Sequence, residues 1–276
     1  MELNAVRIAE DADFSELKQL CDVHKDWDLV YSRKGVNVWT KPTPHCDFKM
    51  IKMRTEFSNV SASVVYDVLH DPHYRLHWDK HMSESVDIGC LNPNNDMSYY
   101  QLKMPPPFRS RDFVFLRSWL ETSSEMMIMN HSVCHEDYPP RKGVVRAISY
   151  LTGYLIRPLG DRKCQISYVA QIDPRGTLPS WLVNKLTQTF APKMAKRLHK
   201  VCTKYPAWKQ THQPNLKPWL FPEQITLPRI PMDKCQPKDY QVEYVDESNV
   251  TETLAVMDDE DGVGTSGDEA LSNGCG

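Results

Sequence analysis

Residues 179–205, PSWLVNKLTQTFAPKMAKRLHKVCTKY, read as the one long helix of the chain. Leu182, Leu186, Phe190, Met194 and Leu198 recur at helical spacing, and Pro179 and Ser180 mark a start. Pro192 lies inside this stretch and is expected to kink it. From about 83 to 173 the chain favours strands instead: SVDIGC, MSYYQLKM, RDFVFLRSWL, EMMIMNHSVC, VVRAISYLTGYLI and CQISYVAQID. Asn92-Pro-Asn-Asn, Pro105-Pro-Pro, Pro139-Pro and Asp173-Pro punctuate them. A run of strands leaves a sheet face to be covered, and the helix that follows is its cover.

Upstream, Phe14, Leu17, Leu20 and Cys21 share one face of a first helix, and three strand-like runs end near residue 57. In FKMIKMRTEF (48–57), alternation sets Phe48, Met50 and Lys52 against Lys49, Ile51 and Met53. Two short helices follow over 61–81. The resulting order predicts an α+β fold, a curved, mostly antiparallel sheet closed by a C-terminal helix. Such a sheet can hold a chamber beneath the helix.

The second of the short helices carries the clearest chemistry. In His70-Asp-Pro-His-Tyr-Arg-Leu-His-Trp-Asp79, Pro72 restarts the chain and Arg75 and Asp79 fall four apart on one face. A guanidinium grips a phosphate with two parallel hydrogen bonds, and a neighbouring carboxylate orients it when the site is empty. The plain alternative is a solvated ion pair, worth only ~0.3–0.5 kcal/mol. His73, His77 and His81 are also spaced by four, but no fourth metal ligand accompanies them. Tyr100, Phe113 and Tyr150 sit mid-strand. Each is a core residue on its own, but in a chamber their ring faces suit a quaternary ammonium, which has no N–H to donate.

Composition narrows the partners. The 276 residues carry a net charge of -3, 41% hydrophobic residues and eight cysteines without a CxxC pair. That usage fits reduced thiols in the cytoplasm better than a disulfide frame. The acidic start lacks the basic and apolar regions of a secretory signal, and no apolar run reaches the ~18 residues of a membrane span. From Asp239 onward there are 11 acidic and no basic residues, so the preceding body is strongly basic. A basic body points to an anionic partner, nucleic acid or a phospholipid surface. Nucleic acid is disfavoured, because no RNP-type aromatic motif or glycine-rich clamp is present. No nucleophile elbow, zinc-protease, Walker or dinucleotide motif is present, and no enzyme activity or cofactor is expected. The terminal helix carries Lys185, Lys193, Lys196, Arg197 and Lys200 without a compensating acid. It is either a solvated face or a surface that lies transiently on anionic lipid, with Trp181 in the headgroup layer.

HDPHYRLHWD (70–79), YYQLKMPPPFRSRDFVFLRSW (99–119), RKGVVRAISYLTGYLI (141–156) and LPSWLVNKLTQTFAPKMAKRLHKVCTKYPAWK (178–209) together resemble the START domain family of lipid-transfer proteins. They are most similar to its phosphatidylcholine-transfer subgroup. The resemblance covers about 13–219, leaving an N-terminal extension (1–12) and a proline-containing, then acidic and unpacked tail (220–276). It implies a helix-grip fold with one lipid in a tunnel. It also implies a monomer that shuttles phosphatidylcholine or phosphatidylethanolamine between membranes. In that subgroup Arg75 falls on the arginine that pairs with lipid phosphate, and Asp79 on its acidic neighbour. Tyr100, Phe113 and Tyr150 fall on the choline cage, where Tyr100 replaces a tryptophan and Phe113 a tyrosine. Thr152 stands where the subgroup has a glutamine near the headgroup.

The physics is consistent with carriage. A two-chain lipid exposes on the order of 30 methylenes in water at ~0.8 kcal/mol each, roughly 25 kcal/mol, which a closed tunnel largely removes. A different reading is a lipid sensor or adaptor that signals through its tail without net transfer. In that tail, Thr265 and Ser266 each have an acid three residues on, the pattern of acidophilic kinases such as casein kinase 2. A phosphate there adds about -1.5 to -2 charge. The tail is expected to compete with anionic membrane for the basic helix.

Overall fold

The computed structural model describes residues 3–44, 48–185, 191–238, 240 and 244–252, without the side chains of 183–185. Helix α1 (Asp11–Asp22) precedes strands β1 (Asp28–Arg33), β2 (Val36–Lys41) and β3 (Met50–Ser58). Helices α2 (Ala62–His70) and α3 (Pro72–Trp78) follow. Then come β4 (Met82–Asn92), β5 (Asn95–Leu102), β6 (Arg111–Glu121), β7 (Met126–Ser132), β8 (Val145–Arg146), β9 (Ile148–Gly160) and β10 (Lys163–Asp173). Helices α4 (Ser180–Lys185) and α5 (Ala191–Thr211) complete the regular elements.

The strands form one sheet in the order β1-β2-β3-β10-β9-β7-β6-β5-β4. Every pairing along it is antiparallel; β8 adds a short parallel pairing to β6. The sheet is open, with β1 and β4 as its edges, rather than closed on itself. VVRAISYLTGYLI, expected as one strand, breaks at Ala147, whose N–H turns to Asp112 O at 3.0 Å.

Two layers cover the sheet, not one. On the inner face, α2, α3 and the C-terminal half of α5 pack Tyr66, Tyr74, Leu198, Cys202 and Tyr205 against Phe57, Trp119, Ile156 and Ile166. The start of α5 sets Ala191 and Ala195 on Val38 and Met53. On the outer face, α1 buries Phe14, Leu17 and Cys21 against Leu151, Leu155 and Val169. The alternation expected of β3 holds. Met50 faces α1, Lys52 Nζ caps the α1 carbonyls of Leu20 and Val23 at 3.0 and 2.6 Å, and Ile51 and Met53 face α5. The segment around 228–235 lays Ile230 and Cys235 over the outer side of β5 and β6 and bridges Cys90 on the β4 edge.

The terminal helix runs further than expected. It comes as α4 and α5, and the joining stretch, 186–190, lies outside the described residues. Pro192 falls in the first turn of α5, where a missing N–H costs least. The helix also continues through Pro206 to Thr211, past the expected end at Tyr205. Buried Tyr205 and Lys209 flank the proline and hold that turn to the core. Nor is everything beyond 239 unpacked, because Val245 and Glu247 are buried.

Candidate functional site

The site begins at the corner between α2 and α3. Asp71 ends α2 and caps α3, its Oδ1 accepting the His73 and Tyr74 N–H groups at 3.0 and 3.2 Å, and Pro72 fits the first helical position. One turn on, Arg75 Nε donates to Asp79 Oδ2 at 3.1 Å. The Tyr100 hydroxyl, reaching over from β5, donates to the same oxygen at 3.0 Å. The guanidinium lies 5.0 Å from the Tyr100 ring centroid and 5.8 Å from that of Trp78. Burial pushes the Tyr100 hydroxyl well above its ordinary pKa, so it stays a donor at every pH of interest. Asp79 engages the guanidinium through Nε alone, which leaves the terminal NH2 groups out of the ion pair.

The strand registers place the remaining side chains, since residues directly opposite across a ladder share a face. On the inner face, Ser85, Tyr100 and Phe113 form one row across β4, β5 and β6. Asp87, Ser98, Phe115 and Ser132 form the next. Phe113 and Phe115 stack with centroids 4.9 Å apart, and Phe115 lies 6.4 Å from Tyr100. A polar row comes third: Asp96, Arg117, Asn130 and Thr152. Arg117 Nε donates to Asp96 Oδ1 at 2.9 Å, and Thr152 Oγ1 lies 3.0 Å from Ser149 Oγ. Tyr150 is the extra residue at a register shift in β9, without an opposite residue on β10, and alternation does not assign its face. Of the expected residues, Arg75, Asp79, Tyr100 and Phe113 therefore come together; Thr152 lies on the same face, beyond β7.

Tyr100, Phe115 and Thr152 in these rows keep side-chain surface that the described residues do not cover. Tyr100, Phe113, Phe115 and Thr152 belong to neither apolar cluster beneath α5. Desolvation raises the Tyr154 hydroxyl and pushes that of Tyr168 to about 12, and burial also raises the Asp87 carboxyl. Yet Tyr154, Tyr168 and Asp87 all keep surface free of protein contact.

Along α5, Lys193, Lys196 and Lys200 are exposed in one stripe and Arg197 is half-buried. The Lys185 side chain, Thr265 and Ser266 lie outside the described residues. Trp181 is not a free membrane anchor here. It is half-buried beside Phe108, and its Nε1 donates to Val250 O at 2.7 Å. Three groups escaped sequence reading: Asp96–Arg117, Asp71 with Lys209, and Arg111–Glu247. Each pairs residues that only the finished fold brings together, and no local spacing announces them.

A large, open antiparallel sheet with a C-terminal helix packed on its inner face describes a START domain. The family model for that domain matches residues 7–208, and the chain belongs to the family. Over 251 residues it is 45% identical to START domain-containing protein 10 of Mus musculus, covering 90% of this chain and 86% of that protein. It is 25% identical over 215 residues to the phosphatidylcholine transfer protein of Homo sapiens, covering 74% of this chain and 98% of that one. The crystal structure of human STARD10 superposes with a TM-score of 0.79 at 45% identity, over 85% of this chain and 97% of that one. These names describe a domain and a lipid carrier, and neither describes an enzyme.

Proposed function

We propose that this chain is a phospholipid transfer protein that takes one phosphatidylcholine or phosphatidylethanolamine into the inner-face chamber and carries it between membranes. The observation that carries this reading is the Arg75 guanidinium, held through one nitrogen by Asp79 beside the Tyr100 ring. It suits a lipid phosphate, with Asp79 and Tyr100 as its fixed frame. Tyr100, Phe113 and Tyr150 supply ring faces for the headgroup nitrogen, and Thr152 a hydroxyl. The relatives' names support the lipid class, since one of them is a phosphatidylcholine transfer protein.

On the inner face Tyr154 and Tyr168, in ring contact at 4.8 Å, keep uncovered surface that suits acyl chains. Docking brings the α5 stripe of Lys193, Lys196 and Lys200 to an anionic membrane surface. Phosphorylation of Thr265 or Ser266 by an acidophilic kinase adds negative charge that opposes such docking.

Native mass spectrometry of the chain purified from eukaryotic cells tests the ligand. One phosphatidylcholine or phosphatidylethanolamine per chain is expected. A sterol or a ceramide would overturn the headgroup assignment. Transfer between donor and acceptor vesicles then separates a carrier from a sensor that holds lipid without delivering it.

A further inference from the structure

Residues 244–250 cross back over the end of the sheet that carries Tyr100 and Phe113. Asp246 bridges Thr177 in parallel, with Thr177 N donating to Val245 O at 3.0 Å and Glu247 N to Thr177 O at 2.9 Å. Gly176, at φ +71°, makes the close approach possible, because a β-carbon there would collide with the Val245 carbonyl. Glu247 then uses both carboxylate oxygens. Oε1 accepts the Arg109 N–H and Oε2 accepts Arg111 Nη2, each at 2.7 Å. Both side chains of the ion pair are buried, at 1% and 8% exposure. Val250 joins an apolar cluster of Phe108, Leu178, Leu182, Met104 and Trp181, and its carbonyl takes the Trp181 indole N–H.

Such a segment could be no more than a stabilising tie. Its anchorage argues for more. It fastens the turn before α4, α4 itself at Trp181, and the loop between β5 and β6 just before Arg111, three separate places at one end of the sheet. Its outward side chains are open to solvent: Tyr244 is 73% exposed, with its hydroxyl on that of Thr177, and Asp246, Ser248 and Asn249 are on the surface. Glu247 is its one charged anchor, beside the backbone bonds at Thr177, buried Val245 and the Trp181–Val250 bond, and it takes the outer nitrogen of a guanidinium whose Nε and Nη1 donate to the carbonyls of Pro174 and Arg109. One segment thus covers a guanidinium through Glu247 and an indole with its apolar cluster through Val250, and those groups together are the composition of a surface that meets anionic headgroups.

We propose that residues 244–250 form a strap over a lipid-docking surface, with Glu247 occupying Arg111 in place of a membrane phosphate. At an anionic bilayer the strap leaves, Arg111 and Trp181 meet the headgroups, and α4 is free to move from the chamber end. This rests on the lipid-transfer reading for its purpose, but not for its detection.

The test is a reversible lock in the full-length chain. Thr177→Cys with Asp246→Cys places two thiols at a β-bridge, within disulfide reach. Binding and lipid exchange are measured on phosphatidylcholine vesicles with and without phosphatidylserine, for the oxidised and the reduced protein, with the unmodified chain treated identically. The oxidised form should bind phosphatidylserine-containing vesicles and exchange lipid roughly tenfold less well than the reduced form. Glu247→Gln should raise binding severalfold and speed amide exchange over 177–182. The lock still reads out if that variant folds poorly. Equal vesicle binding by the locked and unlocked forms overturns the strap. An unmodified chain that binds vesicles but exchanges no lipid overturns the transfer reading instead, and leaves the strap's binding test intact.

Discussion

Arg75 on α3 and Tyr100 on β5 donate to one oxygen, Asp79 Oδ2, at 3.1 and 3.0 Å. The helix is thereby registered against the sheet at the proposed phosphate site. Arg75→Ala removes the cation while Asp79 keeps its bond from Tyr100. The ion pair is partly exposed, so its loss should cost under about 1 kcal/mol of stability. A lost charged hydrogen bond to the ligand is worth ~1.5–3 kcal/mol, so transfer should fall roughly 10- to 100-fold. Vesicle transfer alongside a urea melt checks both halves. Unchanged transfer removes Arg75 from the site.

Asp71 links the same helix to the C-terminal one. Besides capping α3, its Oδ2 accepts the Tyr205 hydroxyl at 3.0 Å and Lys209 Nζ at 2.8 Å, in full burial. Asp71→Ala strands a buried ammonium and should lower stability by about 3–5 kcal/mol. The urea midpoint reads this directly, and a shift equivalent to less than about 1 kcal/mol would show that Lys209 escapes to solvent.

Gly153 is the contact point of α1. A β-carbon there would lie 2.5 Å from Leu17 Cδ1 and 3.0 Å from Cδ2, and Leu17 is fully buried. Gly153→Ala should destabilise by about 1–3 kcal/mol through overpacking. Adding Leu17→Ala should give a double variant less unstable than the sum of the singles, which a double-mutant cycle in urea measures.

His70 gives the fold a pH dependence. Neither ring nitrogen has a partner among the described residues, and Tyr66, Trp119 and Trp219 box the ring at 4.5, 5.0 and 5.7 Å. Burial holds its pKa well below 6.5. The unfolded chain therefore takes up this proton near pH 6.5 and the native chain does not. Stability from this group is complete above about pH 6.5 and is lost as pH falls. Asp13 and Asp22, held low mainly by hydrogen bonds from Arg7 and Arg157, lose theirs only in more acid solution, at and below their ordinary pKa of 3.8. Urea melts from pH 7 down to 5 should show a decline that His70→Phe flattens. Buried His131, also held low by desolvation, contributes in the same direction.

Much of this was legible locally. Period-two alternation in 48–57 assigned both faces of β3, and the spacing of Arg75 and Asp79 anticipated an ion pair that forms. What stayed hidden depends on distant pairing. Asp96 meets Arg117 only because β5 and β6 are in register. Glu247 sits in a stretch whose composition is that of an unpacked tail, and it is buried through one arginine rather than through an apolar face. Pro206 reads as a stop, but the helix loses a single hydrogen bond there and keeps the anchors on either side. VVRAISYLTGYLI reads as continuous because Ala147 carries no turn signal; the break comes from Asp112 on another strand.

The strand order also bears on how the chain is made. β3 is complete by residue 58, but its partner β10 begins at 163. On the ribosome, at ~5–20 residues per second, the first three strands wait on the order of ten seconds with one edge unpaired. Ile51 and Met53 have no cover until α5 emerges later still. The N-terminal quarter of the chain is thus synthesised as an aggregation-prone ribbon, and chaperone capture during that interval, rather than native stability, should set its yield.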